Sequence, residues 1–350
     1  MQMTLRWFGA DDPVSLAAIL QIPRIEGIVT ALHDLPAGEV WTPDLLRAHQ
    51  ATVEAAGARW LVAESIPVHE SIKLGHPERD QYIENYIESI RNLGRVGVHV
   101  LCYNFMPVFD WMRTNFAMPL PDQSNAMQYI EAEVQGYDLT SGMTKRIAWA
   151  KGYTGEEIAE LLALYHEISD EHLFENLIYF LQAVVPAAAE ADVKLAIHPD
   201  DPPWSIFGLP RIVRTAETIQ RILSTVDHPY NGLTFCTGSL GARLDNDLPA
   251  MAHQFAGRIH FVHARNVKHT AERDFYESAH PPQYGDVDLV EVMRVLVEDG
   301  FTGPIRPDHG RMIWGETGIP GYGLYDRALG AMYLQGLIDG YRRKNDAAHV

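Results

Sequence analysis

The chain has 350 residues, of which 47% are hydrophobic and 21% are charged, so it has the composition of a globular protein that can bury a large core. Its 28 Lys and Arg residues against 46 Asp and Glu residues give a formal net charge of −18, and such a field repels nucleic acids and anionic membranes. Two cysteines are too few for a disulfide framework, which excludes the small secreted disulfide-rich proteins.

The start of the chain, MQMTLRWFG, lacks the basic and apolar regions of a signal peptide. No window approaches the run of about 18 apolar residues that spans a bilayer. One of the two cysteines, Cys236, is also a candidate thiolate ligand, as described below, and a free thiolate needs a reducing compartment. We therefore expect a cytoplasmic protein with no nucleic-acid partner and no membrane partner. The oligomeric state stays open, a homo-oligomer included.

Eight apolar runs of strand length alternate along the chain with amphipathic stretches of helix length. Many of the runs are nearly continuous in apolar residues, which is typical of parallel strands that helices cover. We predict strands at residues 5–9, 27–32, 59–65, 99–105, 194–199, 232–238, 258–264 and 304–308.

Helices are predicted in the gaps between these runs. Asp12 and Thr42 each precede a proline, which predicts an N-cap followed by proline at the first helical position. Gly57 and Gly94 are placed to end the second and third helices, the third covering residues 79–93. Residues 154–190 predict one long helix or two, and further helices are predicted at 210–224, 246–257, 287–300 and 324–343. Eight βα units predict a (β/α)8 TIM barrel, with residues 1–350 forming a single catalytic domain.

Two segments are too long for a minimal barrel. They cover about 110–152 and 266–286 and follow the fourth and seventh predicted strands. Loops after the C-terminal ends of barrel strands carry active sites, so we predict long loop insertions at this face and candidate lids within them.

Four metal-ligand residue types close four of the apolar runs. His198 ends KLAIH, Cys236 ends LTFC, His263 ends IHFVH and Asp308 ends PIRPD. Side-chain alternation puts three of them on the inward, less apolar side of their strands. In the seventh strand alternation does not choose between His260 and His263, and we prefer His263 because it is nearer the C-terminal end.

Taken singly, each of these residues has an ordinary structural explanation. A histidine at a strand end is more often a hydrogen-bonded core residue, a cysteine a small buried hydrophobe, and an aspartate a helix cap. Four such residues at the ends of four consecutive strands favour one shared divalent metal site. A set of N, S and O donors suits Zn²⁺, Fe²⁺, Co²⁺ or Ni²⁺ and disfavours Mg²⁺ and Ca²⁺. A catalytic site needs coordination positions beyond these four ligands.

Other polar residues follow the predicted ligands. His309 lies one step beyond Asp308, where an imidazole can act in acid/base catalysis or orient the ligand. Tyr322 and Tyr325 lie in a glycine-rich loop, and either phenol can donate a proton or pack the top of the barrel. Five further residues could hold the carboxylate or the sugar hydroxyl groups of a substrate, and no role is assigned to any of them: Arg6, Asn104, Arg265, Asn266 and Arg311.

Motifs along nearly the whole chain resemble those of the mannonate dehydratase family. They include VLCYNFMPVFDWMRT, LAIHPDDPPW, LTFCTGSLGAR, IHFVHARNV, FYESAHP and RPDHGRMIWGETGIPGYGLYDRALG. The resemblance implies a xylose-isomerase-like barrel and a hydro-lyase of hexuronate (glucuronate) catabolism. Such an enzyme dehydrates D-mannonate to 2-keto-3-deoxy-D-gluconate, usually with Mn²⁺ or Fe²⁺ and without an organic cofactor.

Carried over by position, the resemblance implies six site residues. The metal ligands are His198, Cys236, His263 and Asp308, and the acid/base residues are His309 and Tyr322, the tyrosine of PGYG. Tyr325 remains the alternative to Tyr322, and base and acid stay unassigned between the two catalytic residues.

Three other functions are compatible with a barrel that holds a metal. A sugar isomerase or epimerase usually has several carboxylates around its metal, whereas a thiolate is in this set. A DNA-repair nuclease conflicts with the charge of −18. A non-catalytic protein with a structural zinc would unfold on metal removal and leave mannonate untouched.

Overall fold

The eight predicted apolar runs form a closed barrel of parallel strands in the computed structural model, which describes residues 1–136 and 154–348. The strands of the described residues are β1 Gln2–Arg6, β2 Gly27–Thr30, β3 Trp60–Glu64, β4 Val100–Tyr103, β5 Asn115–Pro119, β6 Asn125–Tyr129, β7 Lys194–Ile197, β8 Asn231–Cys236, β9 Ile259–His263, β10 Asn266–His269, β11 Phe275–Ser278 and β12 Pro304–Arg306. Around the barrel the order is β1, β12, β9, β8, β7, β4, β3, β2, and β1 closes the ring by pairing with both β12 and β2. The predicted TIM barrel is confirmed.

The first strand lies three residues earlier than predicted. The sequence predicts residues 5–9, whereas β1 ends at Arg6, which is paired with Val29. The backbone turns away at Gly9, which has a φ of 98°. The aromatic residues after β1 therefore belong to the rim of the barrel, and their apolar character made the strand look longer.

The two predicted insertions meet in a second sheet. Strands β5 and β6 come from the first insertion and β10 and β11 from the second, and they pair antiparallel in the order β10, β11, β6, β5. The interpretation of both segments as loops was therefore incomplete, because local composition does not show pairing between segments so distant in sequence. The part of the first insertion from 137 to 152 lies outside the described residues.

Helices cover the outside of the barrel and its rim. They are α1 Leu16–Ile19, α2 Pro43–Ala55, α3 Glu70–Leu74, α4 Arg79–Arg95, α5 Glu131–Gln135, α6 Gly155–Tyr165, α7 Asp170–Glu190, α8 Ala216–Thr225, α9 Thr237–Gly241, α10 Leu248–Gln254, α11 Leu289–Glu298 and α12 Leu324–Ala348. Thr42 caps α2 as predicted, and the stretch 154–190 divides into α6 and α7. None of the helices within the described ranges is both long and apolar enough to cross a membrane.

Several predicted helix boundaries are wrong, among them the start of α8, which is Ala216 and not Pro210. Ser15, and not Asp12, is the N-cap of α1, because the Asp12 carboxylate accepts hydrogen bonds from the backbone of Phe8 and Val14. Gly94 lies inside α4 and does not end it. A Cβ at Gly94 would lie 2.3 Å from the Ala191 carbonyl oxygen, so this glycine lets α4 approach the end of α7 closely.

The barrel interior contains a small apolar cluster, separate from the larger core between strands and helices. Its buried residues are Val29, Val62, Val100, Cys102, Ala196 and Phe261. Since Phe261 points inward, His263, two residues further along β9, also points inward at the C-terminal rim. His260 has the opposite direction, and its Nδ1 lies 2.8 Å from the Leu195 carbonyl oxygen.

Candidate metal centre

The four predicted ligands lie at the C-terminal ends of four neighbouring strands, β7, β8, β9 and β12. Ligand atoms of His198, Cys236 and His263 all lie within 4.8 Å of one another. The Asp308 Oδ2 atom lies 3.7 Å from Cys236 Sγ and 3.8 Å from His263 Nδ1. The fold therefore brings together all four side chains that the sequence singled out.

Local structure constrains three of the four predicted ligand side chains. The His198 Nδ1 atom lies 2.7 Å from the Pro199 carbonyl oxygen, so Nδ1–H donates there and leaves the Nε2 lone pair facing the site. Cys236 is the N-cap of α9, and its sulfur accepts a hydrogen bond from the Ser239 backbone at 3.4 Å. Asp308 has a φ of 61°, a left-handed conformation that is uncommon for a residue other than glycine and costs free energy.

Buried arginines surround the Asp308 carboxylate. Arg306 Nη1 lies 2.6 Å from Oδ1 and Arg265 Nε lies 2.8 Å from Oδ2, and both guanidinium groups are buried. Burial alone would raise the pKa of Asp308, but these cations and the imidazoles of His309 and His263 outweigh it and hold that pKa well below its usual range. Asp308 is therefore ionised, as a carboxylate that binds a metal ion must be.

One of these arginines, Arg265, also forms ion pairs with two further buried carboxylates. Arg265 contacts Asp201 at 2.6 Å and Glu277 at 2.8 Å, and Arg113 bridges the same two carboxylates at 2.7 Å each. All four side chains are almost completely buried. The network joins the barrel rim to β11 of the second sheet, and so fixes the inserted sheet relative to the four predicted ligands.

The donor set fits a divalent cation. His198 Nε2 and His263 Nδ1 face one another at 3.2 Å, and His198 already uses its other nitrogen as a donor to Pro199. Burial lowers the pKa of His198, which favours the neutral imidazole that a metal requires. Two facing nitrogens, a thiol and an ionised carboxylate form a ligand set that one cation can hold together.

His309 and Tyr322 lie next to this centre. His309 Nε2 is 3.9 Å from Asp308 Oδ2, and the centroids of the His309 and Tyr322 rings are 5.4 Å apart. Burial lowers the pKa of His309 well below its ordinary value and raises the pKa of Tyr322 to about 12. Tyr325 is 43% exposed and packs against Trp314 instead. The structure thus brings Tyr322, and not Tyr325, to His309.

Aromatic rings cover these two side chains. Trp111, from the first insertion, stacks on His309 at a centroid distance of 5.8 Å and an interplanar angle of 22°. Phe8 meets Tyr322 edge to face at 4.7 Å. Both His309 and Tyr322 are almost completely buried beneath these rings.

Four of the unassigned polar residues bind other groups of the protein itself. Arg265 is saturated by three carboxylates, Asn266 hydrogen-bonds backbone groups of the second insertion, and Arg311 lies between two aspartates. Arg6 pairs with Glu64 and lies over the Phe8 ring at the rim.

Sequence reasoning did not identify several charged residues around the centre. Glu64, Arg113, Asp201 and Glu277 were given no role, although the last three lie in motifs that carry the family resemblance. A charged residue inside an otherwise apolar motif was the available signal, since burying a charge requires a partner. The identity of that partner depends on contacts between distant segments.

Comparison with known proteins gives matches over nearly the whole chain. The family model described as D-mannonate dehydratase (UxuA) matches residues 1–348. The mannonate dehydratase of Thermotoga petrophila is 53% identical over 348 residues, which cover 96% of this chain and 97% of that protein. The mannonate dehydratase of Oceanobacillus iheyensis is 51% identical over 340 residues, covering 97% of each chain.

Solved structures agree with these matches. The mannonate dehydratase from Streptococcus suis serotype 2 superposes with a TM-score of 0.91 at 46% identity, over 99% of this chain and 95% of that chain. A xylose isomerase-like TIM barrel protein from Mycobacterium smegmatis superposes with a TM-score of 0.54 at 14% identity, over 93% of this chain and 88% of that chain. The second likeness concerns the fold alone.

Proposed function

The chain belongs to the D-mannonate dehydratase family, and on this premise we propose that it dehydrates D-mannonate to 2-keto-3-deoxy-D-gluconate with the help of one divalent cation. The observation that carries the proposal is the convergence of His198, Cys236, His263 and Asp308 on one side of the barrel mouth. The reaction is a step of hexuronate catabolism, and its small-molecule substrate is a sugar acid.

We assign the cation to these four residues and propose Mn²⁺ or Fe²⁺ as its identity. Both metals accept nitrogen, sulfur and oxygen donors and more than four ligands, so that substrate oxygens can join the protein donors. When bound, such a cation stabilises the negative charge that builds up on the substrate carboxylate as C2 loses its proton.

His309 and Tyr322 are the proposed acid/base pair. Dehydration removes the C2 proton of the substrate and expels the C3 hydroxyl group, which must be protonated as it leaves. One residue of the pair takes the C2 proton and the other protonates the departing oxygen, so that water is the leaving group. The resulting enol becomes the ketone by tautomerisation, and no organic cofactor is needed.

The aromatic cover supports this role. Trp111 lies against His309 and Phe8 against Tyr322, and this limits the access of bulk water to both groups. Exclusion of water strengthens the electrostatic stabilisation of a developing charge and prevents loss of the abstracted proton to solvent. Whether the inserted sheet closes over substrate as a lid remains a prediction.

We place the activity in the cytoplasm. The proposed thiolate ligand, Cys236, is completely buried and free, and it must stay reduced to bind a cation.

The test is an anaerobic assay of metal-free protein with D-mannonate, in which Mn²⁺, Fe²⁺, Co²⁺ or Zn²⁺ is added back in turn. We expect no turnover without metal and formation of a 2-keto-3-deoxy acid with Mn²⁺ or Fe²⁺. An aldose–ketose pair as product would indicate an isomerase, and turnover by metal-free protein would contradict the proposed centre.

A further inference from the structure

We propose that Glu64, at the end of β3, is a positioning residue that accepts a hydrogen bond from His263 Nε2–H and thereby presents Nδ1 of that imidazole to the cation. The inference rests on the proposed function, because it concerns the same metal centre. It assigns a role to a residue outside the four proposed ligands and outside the proposed acid/base pair.

The contact between the two side chains carries the proposal. Glu64 Oε2 lies 3.4 Å from His263 Nε2, and both side chains are buried. Neither atom has a hydrogen-bond partner elsewhere in the described part of the chain. A buried carboxylate oxygen and a buried ring nitrogen that lack any other hydrogen-bond partner are satisfied together if the nitrogen carries the proton.

The opposite edge of the imidazole faces the metal centre. His263 Nδ1 lies 3.2 Å from His198 Nε2 and 3.8 Å from Asp308 Oδ2. Arg306 Nη2 lies 3.4 Å from the same atom and can only donate to it, which agrees with a lone pair on Nδ1. A neutral imidazole has one N–H and one lone pair, so a proton on Nε2 leaves the lone pair on Nδ1. The two histidines would therefore bind through different nitrogens, His198 through Nε2 and His263 through Nδ1.

Glu64 could instead be a ligand, since Glu64, Cys102 and His263 also have ligand atoms within 4.8 Å of one another. The arginines around Glu64 favour the role of a hydrogen-bond acceptor. Its Oε1 atom lies 2.8 Å from Arg306 Nη2 and also contacts the guanidinium of Arg6. These two guanidinium groups hold the carboxylate with its Oε2 atom directed at His263 Nε2, where it accepts a hydrogen bond.

Arg306 connects this acceptor to a proposed ligand. Its Nη2 atom contacts Glu64 and its Nη1 atom lies 2.6 Å from Asp308 Oδ1. The same guanidinium thus orients the carboxylate behind His263 and the carboxylate of Asp308. A change at Glu64 is expected to reach the cation through His263 first and through Arg306 second.

The first test measures cation binding, and not turnover. Metal-free wild type, Glu64→Gln and Glu64→Asp are titrated with Co²⁺, and the dissociation constant is read from the thiolate-to-cobalt absorption band. Glu70→Gln is the matched control, because Glu70 is a mostly buried carboxylate paired with Lys73 at 2.7 Å and lies outside the proposed centre.

In Glu64→Gln the two arginines attract the amide oxygen, so the amide NH2 group faces His263 Nε2. An N–H donor there forces the imidazole proton onto Nδ1, where the cation should bind. We expect Co²⁺ to bind about 10- to 100-fold more weakly, as found when partners of ligating histidines are removed. We expect a smaller loss in Glu64→Asp, which keeps the charge, and wild-type affinity in Glu70→Gln.

The outcomes separate this inference from the proposed function. Normal Co²⁺ binding by wild type with equal affinity in Glu64→Gln overturns the role of Glu64 alone. A wild-type chain that binds no Co²⁺ overturns the proposed metal centre, and the inference with it.

A second measurement needs no variant, in case Glu64→Gln does not fold. The wild-type protein with ¹⁵N-labelled histidine is loaded with Zn²⁺, and two-bond ¹H–¹⁵N spectra show which nitrogen of each metal-bound ring keeps its proton. We expect one ring bound through Nδ1 and one through Nε2. Two rings bound through Nε2 would overturn the proposal.

Discussion

Replacement of Arg265 by Met tests whether the buried ion network stabilises the barrel rim. Arg265 contacts Asp308 at 2.8 Å, Glu277 at 2.8 Å and Asp201 at 2.6 Å, and only 1% of its side chain is exposed. Removing one partner from a buried ion pair costs about 3–5 kcal/mol, because a buried charge is left uncompensated.

The contacts that remain place the effect at the lower end of that range. Asp201 and Glu277 keep Arg113, and Asp308 keeps Arg306, so none of the three carboxylates loses its last cation. We therefore expect Arg265→Met to lower the free energy of unfolding by about 3 kcal/mol. With an unfolding entropy of about 2.1 cal/mol/K per residue over 350 residues, this corresponds to a fall in Tm of roughly 4 °C.

The assay is thermal unfolding of metal-free protein in chelator, followed by circular dichroism. Arg221→Met is the matched control, since Arg221 pairs with Glu171 at an exposed site and its removal should change Tm by less than about 1 °C. If Arg265→Met unfolds at the wild-type temperature, the network does not contribute to stability as its geometry indicates.

Three further predictions concern the proposed ligands, the acid/base pair and a buried histidine. Cys236→Ser should bind Co²⁺ about 100-fold more weakly in isothermal titration calorimetry, because four-ligand zinc sites are worth about 10–16 kcal/mol and one ligand of four about 3 kcal/mol; unchanged affinity would exclude a sulfur ligand. His309→Asn should keep the cation but lower kcat by about 100-fold or more, and normal turnover would remove this residue from the acid/base pair. Burial lowers the pKa of His260 to about 4, so the folded chain keeps this imidazole neutral while the unfolded chain protonates it below about pH 6.5. Stability should therefore fall as the pH is lowered from 6.5 to 4, and the loss of Tm between pH 7 and 4.5 should be smaller in His260→Gln; equal losses would contradict this explanation.

The sequence was sufficient to predict the barrel and the proposed ligand set. Continuous apolar runs show buried parallel strands, and parallel strands bring the residues at their C-terminal ends to one rim. For this reason His198, Cys236 and Asp308 could be grouped before any contact was known. Phe261 inside the barrel then distinguished His263 from His260, a choice that alternation alone had left open.

The supporting charges could not be predicted, because they depend on pairing over long distances in sequence. Arg113 meets Asp201 across 88 residues and Glu277 across 164 residues. The antiparallel sheet that carries Glu277 joins two insertions that show no strand pattern locally. Likewise Gly94 resembled a helix end, whereas its role is close contact with a helix almost a hundred residues later.

X-ray absorption of the Zn²⁺-loaded protein tests the central claim most directly, namely that His198, Cys236, His263 and Asp308 hold one cation. We expect one zinc per chain with a single sulfur neighbour at about 2.3 Å and nitrogen or oxygen neighbours at about 2.0–2.2 Å, and loss of the sulfur in Cys236→Ser. A zinc environment without sulfur in the wild-type protein would contradict the claim.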